Sequence, residues 1–233
     1  MKVFIFCYKF LITMNFEDAR NNMVLNQLRA NRISNASLIE KIELFPREDL
    51  YPDNYKHLSY SDRIIHLDDG RFVLPPLTSF HLVQALNLTY DDAILEIGSG
   101  FGTTTSILNH FSQNIDCIET SKKMIESFNS SMNLGLFSAK LLKTDIESFF
   151  MNKSPNIKKY QKILINGSLD AEPFQIINKA DDNAQIVCIV DNAEFKHKII
   201  KYQKVNGNCN RFIIDEASSS FIFKYQKKEP FIF

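Results

Sequence analysis

The spacing of apolar residues changes character near residue 90. Before that point they recur at helical intervals: residues 16–30 place Met23, Val24, Gln27 and Leu28 on one side of a helix, and residues 37–44 repeat the pattern with Leu38, Ile39, Ile42 and Leu44. After it, short apolar runs alternate with amphipathic stretches. Runs at 93–97, 116–119, 139–143, 162–166 and 185–190 have the length and composition of strands buried on both faces. Helices are expected between them at 103–111, 121–133 and 173–179, with Ser121 as an N-cap and Pro173 in a first turn. Strand and helix in alternation predict an α/β fold with a mostly parallel sheet. Near the end, residues 198–205 and 211–217 flank Asn206-Gly207, a strong hairpin signal, and 219–225 adds another extended run. An antiparallel edge is therefore expected on the parallel sheet.

No repeat, low-complexity tract or flexible linker divides the chain, and 233 residues suit one substantial core. The expected organisation is a helical region over 14–90 and a sheet region over 91–233, together one compact domain. Residues 1–13 (MKVFIFCYKFLIT) are apolar but too short to span a bilayer, are interrupted by Lys9, and precede no small-residue cleavage site. They read as a loose or non-native extension, with Met14 rather than Met1 as the start.

Charge adds a restriction. Lys plus Arg equals Asp plus Glu at 27 each, so no net field would draw the chain to nucleic acid or an anionic membrane. A monomer with neither partner is expected. Cys7, Cys117, Cys188 and Cys209 are scattered, with no C-x-x-C pair and no histidine at ligand spacing, which predicts buried reduced thiols, no metal and a cytoplasmic setting. The five histidines, His57, His66, His81, His110 and His197, show no pairing that suggests acid or base chemistry.

The chemistry concentrates in ILEIGSGFGTTTS (residues 94–106), where a glycine loop follows an acidic strand end. In an open parallel sheet, ligands sit beyond the carboxyl ends of the strands, where strand order reverses. Gly98, Ser99, Gly100 and Gly102 would lie there. A dinucleotide fingerprint G-x-G-x-x-G fails, because counting from Gly98 and Gly100 places Thr103 at the third glycine. The run instead reads E-x-G-x-G-x-G. Glu96 would repel a pyrophosphate but can hold a cationic or polar ligand, which suits S-adenosylmethionine with its sulfonium and amino groups. Glu119, at the end of the next strand, is placed to accept both ribose hydroxyls, a role that NAD enzymes share. Asp145 stands where an adenine amino group would be met, and reads equally well as a helix N-cap. The fold expected is a Rossmann-like, class I S-adenosylmethionine-dependent methyltransferase with an antiparallel C-terminal hairpin and an N-terminal helical region.

Beyond the loop, the chain resembles the protein-L-isoaspartate O-methyltransferase family from about Met23 to Val190. MVLNQLRANRI (23–33) looks like that family's M-V-x-Q-[LI]-R-x-x-x-I helix, and FPREDLYPDNYKHLSYSD (45–62) resembles its V-P-R-E-x-F-V-P stretch ending A-Y-x-D. YQKILINGSLDAEP (160–173) is similar to F-D-x-I-x-V-x-A-A-x-x-x-x-P, which implies that Asn166 and Gly167 lie near the methyl donor. The resemblance implies methylation of an isoaspartyl carboxylate in a peptide or protein, followed by cyclisation to a succinimide. One motif departs. Where the family has G-x-[TS]-I-S-x-P, this chain reads GRFVLPPLTSF, so Leu74 stands at the serine that faces the substrate carboxylate. Thr78 and Ser79, four and five residues on, are the nearest hydroxyls. Two alternatives to repair follow: a member that binds cofactor without repair activity in an interaction role, or a small-molecule methyltransferase with an apolar pocket around Phe72, Leu74 and Leu77.

Overall fold

The structure, a computed structural model, describes residues 14–152, 156–157, 159–217 and 219–225. The opening segment 1–13 with Cys7, and the terminal EPFIF at 229–233, lie outside the described residues.

The N-terminal region begins with α1 (Phe16–Asn22), whose first turn is closed by Asn15 accepting from the backbone N–H groups of Glu17 and Asp18. The chain then widens into a π-type turn over Met23–Leu28 and tightens into a 3-10 turn over Arg29–Asn31. A single helix was expected here. The widening has a packing reason: residues five apart in an α-helix point roughly 140° apart, whereas the π winding brings them closer to one face. Met23, Val24 and Leu28 are accordingly all buried. Next come α2 (Ala36–Leu44), capped by Asn35, and the short α3 (Asp53–Lys56). A two-stranded antiparallel ribbon, β1 (Ile65–His66) with β2 (Phe72–Val73), leads into α4 (Pro76–Ala85).

The sheet region runs β3 (Ile94–Ile97), α5 (Thr103–Leu108), β4 (Ile115–Ile118), α6 (Lys122–Asn133), β5 (Lys140–Leu141), α7 (Ile146–Met151), β6 (Lys162–Leu169), α8 (Phe174–Ile177) and β7 (Gln185–Val190). It ends with β8 (Lys198–Val205), β9 (Asn208–Glu216) and β10 (Phe221–Phe223). Strand order is β5-β4-β3-β6-β7-β8-β9, parallel from β5 to β7 and antiparallel at β7/β8 and β8/β9. The hairpin is tighter than expected, because β9 starts at Asn208, directly after a two-residue turn. Asn206 and Gly207 both adopt positive φ, 50° and 77°, the geometry whose twist matches the flanking strands.

Each expected crossover helix is present but shorter, and Pro173 stands one place outside α8 as its N-cap. Ser121 caps α6 by accepting from the Met124 N–H at 3.2 Å. The strand expected at 139–143 contracts to two paired residues.

Two apolar layers sandwich the sheet. One joins Met23, Leu28, Leu38 and Phe80 of the N-terminal region to Ile94, Leu164 and Val187 of the strands; the other packs Ile146, Phe150 and Ile176 against Leu95, Ile163 and Ile186. Cys117 and Cys188 are free and lie in the interior, where burial was expected, whereas Cys209 is exposed on the edge strand β9, against that expectation.

Candidate functional site

Chain order reverses at β3, with β4 on one side and β6 on the other, so the carboxyl ends of these three strands open a crevice. The glycine loop lies there. Gly98, Gly100 and Gly102 all take left-handed backbone, with φ of 83°, 60° and 91°. A Cβ on Gly102 would lie 2.6 Å from Phe137 Cζ, and one on Gly98 would run into Ile222, while one on Gly100 would meet only Met124 Cε at 4.0 Å.

Glu96 does not face the crevice. It is fully buried and accepts hydrogen bonds from Thr104 Oγ1, from Thr105 Oγ1 at 2.5 Å and from Asn166 Nδ2 at 2.7 Å. Burial raises its pKa, those bonds oppose the rise, and the balance is about 6. Its role in this structure is to brace the loop and the start of α5 from below.

Glu119 is also buried, and its oxygens are engaged by the protein. Arg71 reaches it with a two-pronged pair, Nε to Oε1 at 2.8 Å and Nη2 to Oε2 at 2.9 Å. Backbone N–H groups of Gly100, Thr120 and Ser121 add bonds at 2.9, 2.7 and 3.0 Å. Burial would raise its pKa, but the Arg71 guanidinium and the backbone donors outweigh it and hold the carboxylate below its ordinary range. No sequence motif points to Arg71, because its 48-residue separation from Glu119 carries no local signal.

Two cavities meet this ring of contacts. The first, about 20 Å³, is lined by Phe72, Val73 and Leu74, by Ser79 of α4, by Gly98 to Gly100, by Thr103 and Thr104, and by Asn166. Within that lining, Ser99 Oγ and Asn166 Oδ1 are buried with no hydrogen-bond partner, a costly state that marks polar capacity aimed at something else. Asn166 is carried there by an irregularity in β6, whose register against β7 shifts between Leu164 and Ser168. The second cavity, about 620 Å³, is lined by Arg71, Thr120, Asp145, Ile146, Met151 and Ile222, among others. Asp145 is both an N-cap and a cavity residue: it accepts from the Ser148 N–H and Oγ, each at 2.7 Å, and these bonds hold its pKa low.

Of the two hydroxyls near Leu74, only Ser79 shares its cavity. Thr78 faces a separate groove of about 610 Å³ beside His81 and Asp215. Among the described residues, no group of three or more His, Cys, Asp and Glu could hold a metal, and no helix is long and apolar enough to cross a membrane.

The profile of the family described as "Protein-L-isoaspartate(D-aspartate) O-methyltransferase (PCMT)" matches residues 19–227. A protein-L-isoaspartate O-methyltransferase of Cronobacter sakazakii is 30% identical over 201 residues, covering 86% of this chain and 92% of its own. One from Klebsiella pneumoniae is 25% identical over the same length and coverage. A solved structure from Plasmodium falciparum, described as a candidate protein-L-isoaspartate O-methyltransferase in complex with S-adenosyl-L-homocysteine, superposes with a TM-score of 0.66. It is 14% identical and covers 91% of this chain and 99% of that one.

Proposed function

Because the chain belongs to the protein-L-isoaspartate(D-aspartate) O-methyltransferase family, we propose that it transfers a methyl group from S-adenosylmethionine to an isoaspartyl-type carboxylate of a peptide or protein. One observation carries the reading: a three-glycine loop at the sheet's switch point, with Ser99 Oγ and Asn166 Oδ1 buried and unpartnered beside it. The donor set fits the cofactor. Ser99, Asn166 and the backbone of Gly98, Gly100 and Gly102 would hold the amino-acid end, Glu119 the ribose, and the cavity beside Asp145 and Ile146 the adenine. Glu96 acts behind this layer by holding Thr104, Thr105 and Asn166 in place.

The cofactor supplies an electrophilic methyl group activated by the adjacent sulfonium. The protein's part is alignment and exclusion of water. An acceptor carboxylate with an ordinary pKa near 4 is already ionised at neutral pH, so no side chain need remove a proton. Phe72, Val73 and Leu74 wall the acceptor side with apolar surface, and Ser79 is the hydroxyl of α4 that shares this cavity with Leu74, beside Ser99, Thr103 and Thr104 of the loop and α5. The free buried thiols Cys117 and Cys188 suit a reducing compartment, the cytoplasm.

Leu74 favours a second reading, a cofactor-binding member with weak or no repair activity, since leucine cannot hydrogen-bond a carboxylate. Radiolabelled methyl transfer to an isoaspartyl peptide, for the wild type and Leu74→Ser, separates the two. A hydrogen bond to a charged group is worth about 1.5–3 kcal/mol, so Leu74→Ser should raise turnover roughly ten- to a hundredfold over a measurable wild-type rate. Transfer by neither protein, at a cofactor concentration shown by calorimetry to saturate, would rule out isoaspartyl methylation.

A further inference from the structure

The two cavities described above are separated by a wall of two side chains from distant parts of the chain. Arg71, on the ribbon just before β2, lines the larger cavity and lies against the loop, its Nη2 3.3 Å from where a Gly98 Cβ would stand. Ile222, in the middle of β10, lines the same cavity and fills the space over Gly98 and Gly167. β10 reaches that place by pairing parallel to the end of β6, Phe221 opposite Ser168 and Phe223 opposite Leu169. The smaller cavity on the loop side is left with about 20 Å³, room for one or two water molecules.

We propose that Arg71 and Ile222 form a gate across the cofactor site, and that Arg71 competes with the ligand's ribose hydroxyls for the Glu119 carboxylate. The inference rests on the cofactor reading above. A ligand with its adenine beside Asp145 and its amino-acid end at Ser99 and Asn166 must cross the wall between them. Glu119 already accepts three backbone N–H bonds and both prongs of Arg71, so its carboxylate has little capacity left for two ribose hydroxyls while Arg71 stays. Release of Arg71 is therefore coupled to entry, and it lowers apparent affinity by the fraction of molecules in the closed state. Arg71 also packs over the Phe72 ring, with 5.2 Å from its guanidinium carbon to the ring centre. Because Phe72 and Leu74 line the cavity on the loop side, moving Arg71 disturbs the acceptor wall together with the cofactor seat.

Calorimetric titration with S-adenosylhomocysteine tests the gate without requiring turnover. Arg71→Ala should bind about tenfold more tightly than the wild type, the value of one charge-assisted bond no longer contested. The gain should vanish with an analogue lacking the 2′ and 3′ hydroxyls. Ile222→Ala, which leaves the Glu119 contacts intact, should tighten binding of both ligands, and Arg71→Met, which keeps the stem's packing over Phe72 but frees Glu119, takes the place of Arg71→Ala if that variant does not fold. Binding by the wild type that both variants leave unchanged or weaken overturns the gate alone. No binding by the wild type or either variant overturns the cofactor reading, and the gate with it.

Discussion

Glu96 and Glu119 are chemically alike, yet their surroundings push them in opposite directions. Glu119 meets a guanidinium and three backbone donors and is held ionised. Glu96 meets hydroxyls, an amide and a thiol, none of them charged, so burial dominates and its pKa stands at about 6. A carboxyl whose pKa is raised by folding contributes stability that is fully present below its unfolded value and is lost as pH climbs through the folded value. For Glu96 that window runs from the ordinary 4.5 to about 6. A shift of that size corresponds to roughly 2 kcal/mol. Urea unfolding of the wild type and Glu96→Gln should therefore show the variant gaining about 2 kcal/mol relative to the wild type between pH 4 and pH 7.5. A difference that does not change with pH would show that Glu96 does not titrate in this range.

At the scale of elements, the glycine loop is constrained unevenly. All three glycines adopt left-handed backbone, which costs another residue about 1–2 kcal/mol. Only two of them are also crowded. Gly102→Ala would force Phe137 away from Phe128, against which it packs edge-on at 4.8 Å, so the expected loss is about 2–4 kcal/mol. Gly100→Ala meets only Met124 Cε, at ordinary van der Waals distance, and should lose only about 1–2 kcal/mol. Chemical denaturation of the two variants side by side checks the ranking, and equal losses would mean that backbone strain alone governs the loop. The tight β8–β9 hairpin was legible in the sequence because Asn206-Gly207 specifies its turn locally. The π-type turn at Met23–Leu28 was not, since it is imposed by the core that Met23, Val24 and Leu28 must enter together.

For the whole molecule, the layer of core that joins Met23, Leu28 and Leu38 to Ile94, Leu164 and Val187 is continuous. The N-terminal region and the sheet should therefore unfold together. Far- and near-ultraviolet circular dichroism are expected to give coincident thermal transitions. Leu28→Ala, deep in that shared layer, should lower stability by about 2–5 kcal/mol without splitting the transition. Two resolved transitions would show that the two regions are energetically separate.

Legible from the chain alone were the alternation of strands and helices, the glycine loop, the hairpin and the positions of Glu96, Glu119 and Asn166. Each of these is written in local spacing or in residue type. Tertiary structure decided what the acidic residues do, because partners and burial come from segments far apart in the chain. It turned Glu96 inward onto Thr104 and Thr105, gave Glu119 to Arg71 from 48 residues away, and brought Ile222 across the loop from the end of the described chain. It also separated the adjacent hydroxyls of Thr78 and Ser79 into different cavities, since neighbours on a helix point in different directions. Contacts of this kind depend on how β2, β6 and β10 converge at the crevice, and no periodicity along the chain encodes that convergence.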